Sequence, residues 1–217
     1  MIYNTTEEYL RDRWLVTLRR VRLLQKFPGE EVISDLLVRY SEPHRHYHTQ
    51  NHLRSCFEVL DAFFPREDYY GMIWGLEMAL WFHDAVYDST AKDNEEKSAE
   101  LAKSALASME ATPAFQKAVA DLILATKHTA PARSLEEMLL LDLDIQVLGA
   151  SEETYQRYED NIRREYSWVP MDIYREKRTE ILQMFLDRPF IFMTEVMHDA
   201  YEAQARKNLA RAIKALA

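Results

Sequence analysis

His44-Arg45-His46-Tyr47-His48-Thr49-Gln50-Asn51-His52 leads into a segment in which His52, Cys56, Leu60 and Phe63 recur at three-and-four spacing. That period belongs to an α-helix and sets His52 on its apolar stripe, one turn beyond His48. A second segment, Ile73 to Tyr87, repeats the pattern through Leu76, Leu80 and His83, with Asp84 one step around the cylinder. With four glycines and seven prolines as punctuation, and no alternating apolar runs, the whole chain reads as helical.

The remaining helices follow from caps and breaks. Thr6 is expected to cap a helix through about Leu24, stopped by Phe27-Pro28-Gly29, and a short helix follows from Glu30 to Tyr40. The His52 helix ends near Phe64-Pro65. Asp93-Asn94-Glu95-Glu96 gives the next helix an acidic first turn, and Pro113 opens another, closed by Lys127-His128-Thr129-Ala130-Pro131. Ser134 caps a helix running toward Gly149, Ser151 and Pro170 open two more, and the last starts near Thr194. The expected inward stripes are Tyr155, Tyr158, Ile162 and Tyr166, then Tyr174, Arg178, Ile181 and Phe185, then Tyr201, Ala205, Leu209 and Ile213.

A chain of 217 residues, 47% hydrophobic, buries a substantial core without a staple. Its one cysteine, Cys56, excludes an internal disulfide and reads as a small buried apolar residue. The formal charge of -9 argues against a nucleic-acid polymer as partner. No apolar run approaches the ~20 residues that span a bilayer, and the Met1-Ile2-Tyr3-Asn4 start lacks a signal-peptide pattern, so no membrane association and a cytoplasmic location are expected. Without repeats or long linkers, residues 1–217 read as one domain, with a homodimer compatible with the sequence.

A hydrolytic metal needs imidazole and carboxylate ligands converging from different elements. His52, His83 and Asp84 are the leading candidates, because one helix, a turn and an antiparallel return separate His52 from His83. Asp84 follows Trp81-Phe82-His83 in an apolar segment, where an unpartnered carboxylate is costly and a cation is the economical partner. Asp142 and Asp144 lie about 200° apart on a helix, so one of them can complete the set and periodicity does not choose between them. His48 suits a general acid, and Arg45, Lys127 and His128 suit substrate phosphate. Asp88 and Glu95 are candidates to orient water or a second ion.

His52, His83-Asp84 and the later aspartate of Leu141-Asp142-Leu143-Asp144-Ile145 resemble the H…HD…D signature of the HD-domain metal-dependent phosphohydrolases. Tyr47-His48-Thr49-Gln50-Asn51-His52 is similar to the YHNxxH stretch of class I cyclic-nucleotide phosphodiesterases, with Thr49 in place of the Asn. The Arg-His-Tyr-His…His run, Asp93-Asn94-Glu95-Glu96-Lys97-Ser98-Ala99 and Glu202-Ala203-Gln204-Ala205-Arg206-Lys207-Asn208-Leu209 resemble a bacterial subgroup of predicted HD phosphohydrolases. The resemblance implies an all-α, HD-domain-like helical bundle with additional N- and C-terminal helices. Its metal-site core would cover about residues 44–150, with residues 151–217 packed on it.

What the resemblance further implies is a divalent ion (Mn, Mg, Co, Ni, Fe or Zn), one by default and two at most. His52, His83, Asp84 and Asp144 would hold it, Asp144 being favoured over Asp142 because the family's last ligand precedes a short apolar pattern such as Ile145-Gln146-Val147-Leu148. His48 and Asp84 would take part in catalysis on a small phosphate ester of the nucleotide class. A non-catalytic metal- or nucleotide-binding regulator and an HD-type di-iron oxygenase are the rival readings.

Overall fold

The computed structural model describes residues 3–23, 29–64, 73–128 and 130–217, and every regular element among them is helical. Leu24, the expected breaks at Phe27-Pro28 and Pro65, and Thr129 of the closing turn lie outside the described residues. The chain comprises two compact units, Met1–Leu141 and Asp142–Ala217. Among the described residues no helix is long and apolar enough to cross a membrane.

The first unit contains α1 (Thr6–Arg20), α2 (Gly29–Arg39), α3 (Gln50–Phe63), α4 (Ile73–Phe82), α5 (Asn94–Ser108), α6 (Pro113–Ala125) and most of α7 (Leu135–Asp144). Thr5, not Thr6, caps α1: its hydroxyl accepts the Glu8 N–H at 3.1 Å while the Glu8 carboxylate returns to the Thr5 N–H at 3.3 Å. Thr49 caps α3, Thr112 with Pro113 opens α6, and Ser134 accepts the Glu137 N–H at 3.2 Å to start α7.

Helix α4 is the centre of this unit. From Leu76 to Phe82 every residue is buried, as an apolar sequence on all sides of a helix requires. Trp81 meets Trp14 edge-on at 5.2 Å and Phe57 at 4.7 Å, and its indole N–H donates to the Thr17 hydroxyl at 3.1 Å. The exception to the apolar surface is Glu77, which is 0% exposed. Its carboxylate receives both terminal nitrogens of Arg13, at 2.9 and 3.2 Å, and a bond from Arg20. The Arg13 guanidinium also lies 4.5 Å over the Phe57 ring.

α4 stops at Phe82, not near Tyr87. The Ala85 N–H folds back to the Phe82 carbonyl at 3.0 Å, and the Asp84 and Ala85 carbonyls turn to the Arg45 guanidinium at 2.6 and 3.1 Å instead of to helical N–H groups. A buried arginine thus replaces the helix's next turn, a substitution that periodicity cannot register.

The second unit holds a 3-10 turn (Gln146–Gly149), α8 (Glu152–Glu165), α9 (Met171–Leu186) and α10 (Glu195–Leu216). Two of the expected stripes are corrected here. α10 buries Met197, Glu202, Ala205, Asn208 and Leu209, while Tyr201 and Ile213 are half-exposed. The two polar residues are buried because they serve backbone: Glu202 accepts the N–H groups of Ile191 and Phe192, and Asn208 donates to the carbonyls of Leu148 and Ala150. On α9 Leu182, not Ile181, joins Tyr174, Arg178 and Phe185 inside. Arg178 forks onto Glu159 of α8 at 2.8 and 3.0 Å. Gly149 permits the close approach of α10, since a side-chain carbon there would stand 2.5 Å from the Tyr201 Cβ.

Candidate metal centre

His52 opens the buried stripe of α3, and His83-Asp84 follow the last residue of α4. Three atoms converge. His52 Nε2 lies 3.2 Å from His83 Nε2, His83 Nε2 lies 3.0 Å from Asp84 Oδ2, and His52 Nε2 lies 3.6 Å from the same oxygen. α7 runs on to end at Asp144, and His52, His83, Asp84 and Asp144 each offer one ligand atom within 4.8 Å of the others. Among the described residues this is the single group of three or more such side chains.

The tautomer of His83 is set by its neighbour. Its Nδ1 lies 2.8 Å from the Leu80 carbonyl, which can only accept, so Nδ1 carries hydrogen and Nε2 is the nitrogen turned toward His52 and Asp84. Both imidazoles are buried and Asp84 is half-buried. Cys56 Sγ stands 3.9 Å from both His52 ring nitrogens, in packing contact, and the residue is buried.

The residues fit a metal ion. Bonds of about 2.1 Å put ligand atoms about 3.0 Å apart at octahedral corners and about 3.4 Å apart at tetrahedral ones, and the three measured edges fall around those values. Two imidazoles with two carboxylates suit Mn, Fe, Co, Ni or Zn better than Mg, which prefers an all-oxygen set.

The same helix end separates Asp142 from Asp144. Asp142 is 0% exposed, its Oδ1 accepting the Met193 N–H at 2.8 Å and its Oδ2 the N–H and hydroxyl of Thr194 at 2.8 and 2.6 Å. It is the anchor of the α10 N-terminus, where Thr194 is the cap residue but its own side chain caps nothing. Burial pushes the Asp142 carboxyl above its ordinary range, and these three donors pull it partly back.

His48 sits beside the group. Its ring stacks on Tyr87 at 4.2 Å, meets Tyr47 edge-on at 5.0 Å and lies 6.1 Å from the His52 ring. Tyr87, placed on an inward helical stripe by periodicity, belongs to the loop after α4 and forms the wall behind His48. Tyr47 lies 4.8 Å from the His52 ring.

Arg45, assigned to substrate phosphate on sequence, is buried with its guanidinium committed to protein acceptors. It reaches the carbonyls of His48 (3.2 Å), Asp84 (2.6 Å) and Ala85 (3.1 Å) and the Glu42 carboxylate (2.9 Å), tying the loop that carries His48 to the loop that carries Asp84. Arg45→Lys keeps the charge and loses the fork, so it is expected to cost about 1–3 kcal/mol in urea unfolding. Wild-type stability would remove Arg45 from this structural role.

The Lys127 ammonium pairs with Glu96 and approaches the Lys92 carbonyl at 3.5 Å, joining the end of α6 to the start of α5, and its bond to the Glu96 carboxylate raises its pKa. His128 ends that turn with a φ of 53° and is not one of the four grouped residues. Asp88 organises the turn before α5: it accepts the Thr90 N–H and hydroxyl at 2.8 and 2.7 Å, which hold its carboxyl below the usual range. Glu95 lies in the acidic first turn of α5, where the helix dipole favours it. No protein-family model, curated protein or solved structure matches this chain.

Proposed function

We propose that this chain is an HD-type metal-dependent phosphohydrolase that cleaves a small phosphate ester, with nucleotides the expected substrate class. The observation that carries the reading is the convergence of two imidazoles and two carboxylates within 4.8 Å, beside a third imidazole held in an aromatic stack. His52, His83, Asp84 and Asp144 would hold a divalent ion, which supplies a water of lowered pKa and a Lewis acid for a phosphoryl oxygen. His48 supplies the proton for the leaving oxygen, its ring plane held by the stack on Tyr87. Arg45 holds the His48 and Asp84 loops in register through their carbonyls.

The test is to load the protein separately with Mn, Fe, Co, Ni, Zn and Mg and assay nucleotides and generic phosphoesters. Product release above the His83→Ala and Asp84→Ala controls is expected. No turnover above those controls with any pairing would sink the proposal. Saturable nucleotide binding without product would select a regulatory protein. Two irons per chain with an optical signature would select a di-iron oxygenase.

A further inference from the structure

Helix α9 carries more apolar surface than its unit covers. Tyr174, Arg178, Leu182 and Phe185 face inward, yet Ile173, Ile181 and Met184 stand 46%, 45% and 45% exposed on the adjoining arc. Ile173, Lys177, Glu180 and Met184 are separated by four, three and four residues, the alternation that produces a straight seam along one side of a helix. Lys177 and Glu180 lie side by side at the middle of the seam, their charged groups 2.9 Å apart. Single exposed apolar residues are ordinary, whereas an ordered seam of them with charge at its centre marks a contact surface.

The order of residues identifies what fits. Reversing the helix exchanges Ile173 with Met184 and Lys177 with Glu180, so the seam is complementary to itself when two copies run antiparallel. We propose that α9 is the contact face of a homodimer. In it a second copy's α9 packs antiparallel about a two-fold axis between Arg178 and Thr179. Ile173 then meets Met184 of the second copy, and Lys177 meets Glu180 of the second copy. A parallel pair would set Lys177 against its own copy and Glu180 likewise, which like-charge repulsion opposes. Antiparallel pairing also brings the Trp168 end of one helix to the Phe190 end of the other, and both of these large side chains are exposed. A helix of 16 residues is about 24 Å long, so the contact is smaller than a standard interface of about 1,600 Å² and the dimer is concentration-dependent. The inference is independent of the proposed chemistry.

Sedimentation equilibrium of the full chain, from about 1 μM to about 1 mM as suits a weak interface, tests it. Wild type is expected to show a monomer–dimer equilibrium, and Lys177→Glu or Glu180→Lys alone to weaken it about tenfold or more. The double exchange restores association. So does mixing the two single variants, because the heterodimer then has opposite charges at every crossing. Met184→Glu, a surface change that leaves helical content intact by circular dichroism, abolishes the dimer. A monomer at every concentration overturns the proposal, and so does a dimer that is indifferent to Met184→Glu and to both charge changes.

Discussion

Asp142→Ala and Asp144→Ala, two positions apart on one helix, are expected to fail in opposite ways. Removing the Asp142 carboxylate deletes three hydrogen bonds and leaves the Met193 and Thr194 N–H groups at the head of α10 without their acceptor. Hydrogen bonds to a charged group and buried donors left unmet set the loss at about 3–5 kcal/mol in urea unfolding without metal. Asp144, half-buried beside other acceptors, is expected to cost less than about 1 kcal/mol in the same experiment, since relieving like charges offsets lost contacts. On the proposed function it also removes the rise in melting temperature that added divalent metal gives the wild type. The assignment of these two aspartates fails if Asp144→Ala retains the metal-induced rise, or if Asp142→Ala unfolds like wild type.

The second large effect is expected at Glu77. Its carboxylate is enclosed by Arg13 and Arg20, and truncation to Met strands two guanidinium groups against the buried face of α4. Breaking a buried ion pair from one side costs about 3–5 kcal/mol, whereas replacing both sides by apolar groups is often neutral. Glu77→Met should therefore destabilise more than Glu77→Met combined with Arg13→Met, which leaves only the partly exposed Arg20 without the carboxylate, and a double-mutant cycle by chemical unfolding measures the difference. Simple additivity of the two substitutions would show that the charges do not act on one another.

The helical fold was legible because period and caps are local. Pro113, Ser134 and Ser151 open their helices as the sequence suggests, and His52, His83 and Asp84 follow from stripe positions and the penalty for burying a carboxylate. What was not legible depended on partners far along the chain. Asp142 and Asp144 are alike in pattern, and they are told apart by Met193 and Thr194, some fifty residues later. Arg45 and Lys127 looked available to a phosphate, but the carbonyls after Asp84 and the carboxylate of Glu96 hold them. Glu77, too, interrupts the most apolar helix without its partners being adjacent in sequence. The signal was there in Arg13 and Arg20, one face of α1 repeating a cation two turns on. Periodicity places Ile181 inside although it is exposed, because period alone cannot tell a covered apolar arc from an open one.

The bond from His83 to the Leu80 carbonyl also governs when the ligand geometry is acquired. The ring cannot rotate to present its other nitrogen without abandoning that bond in a place where His83 is nearly inaccessible to water. Its orientation is thus set by the end of α4 itself. On the proposed function, the entropy lost in ordering this imidazole therefore belongs to folding and not to binding of the ion.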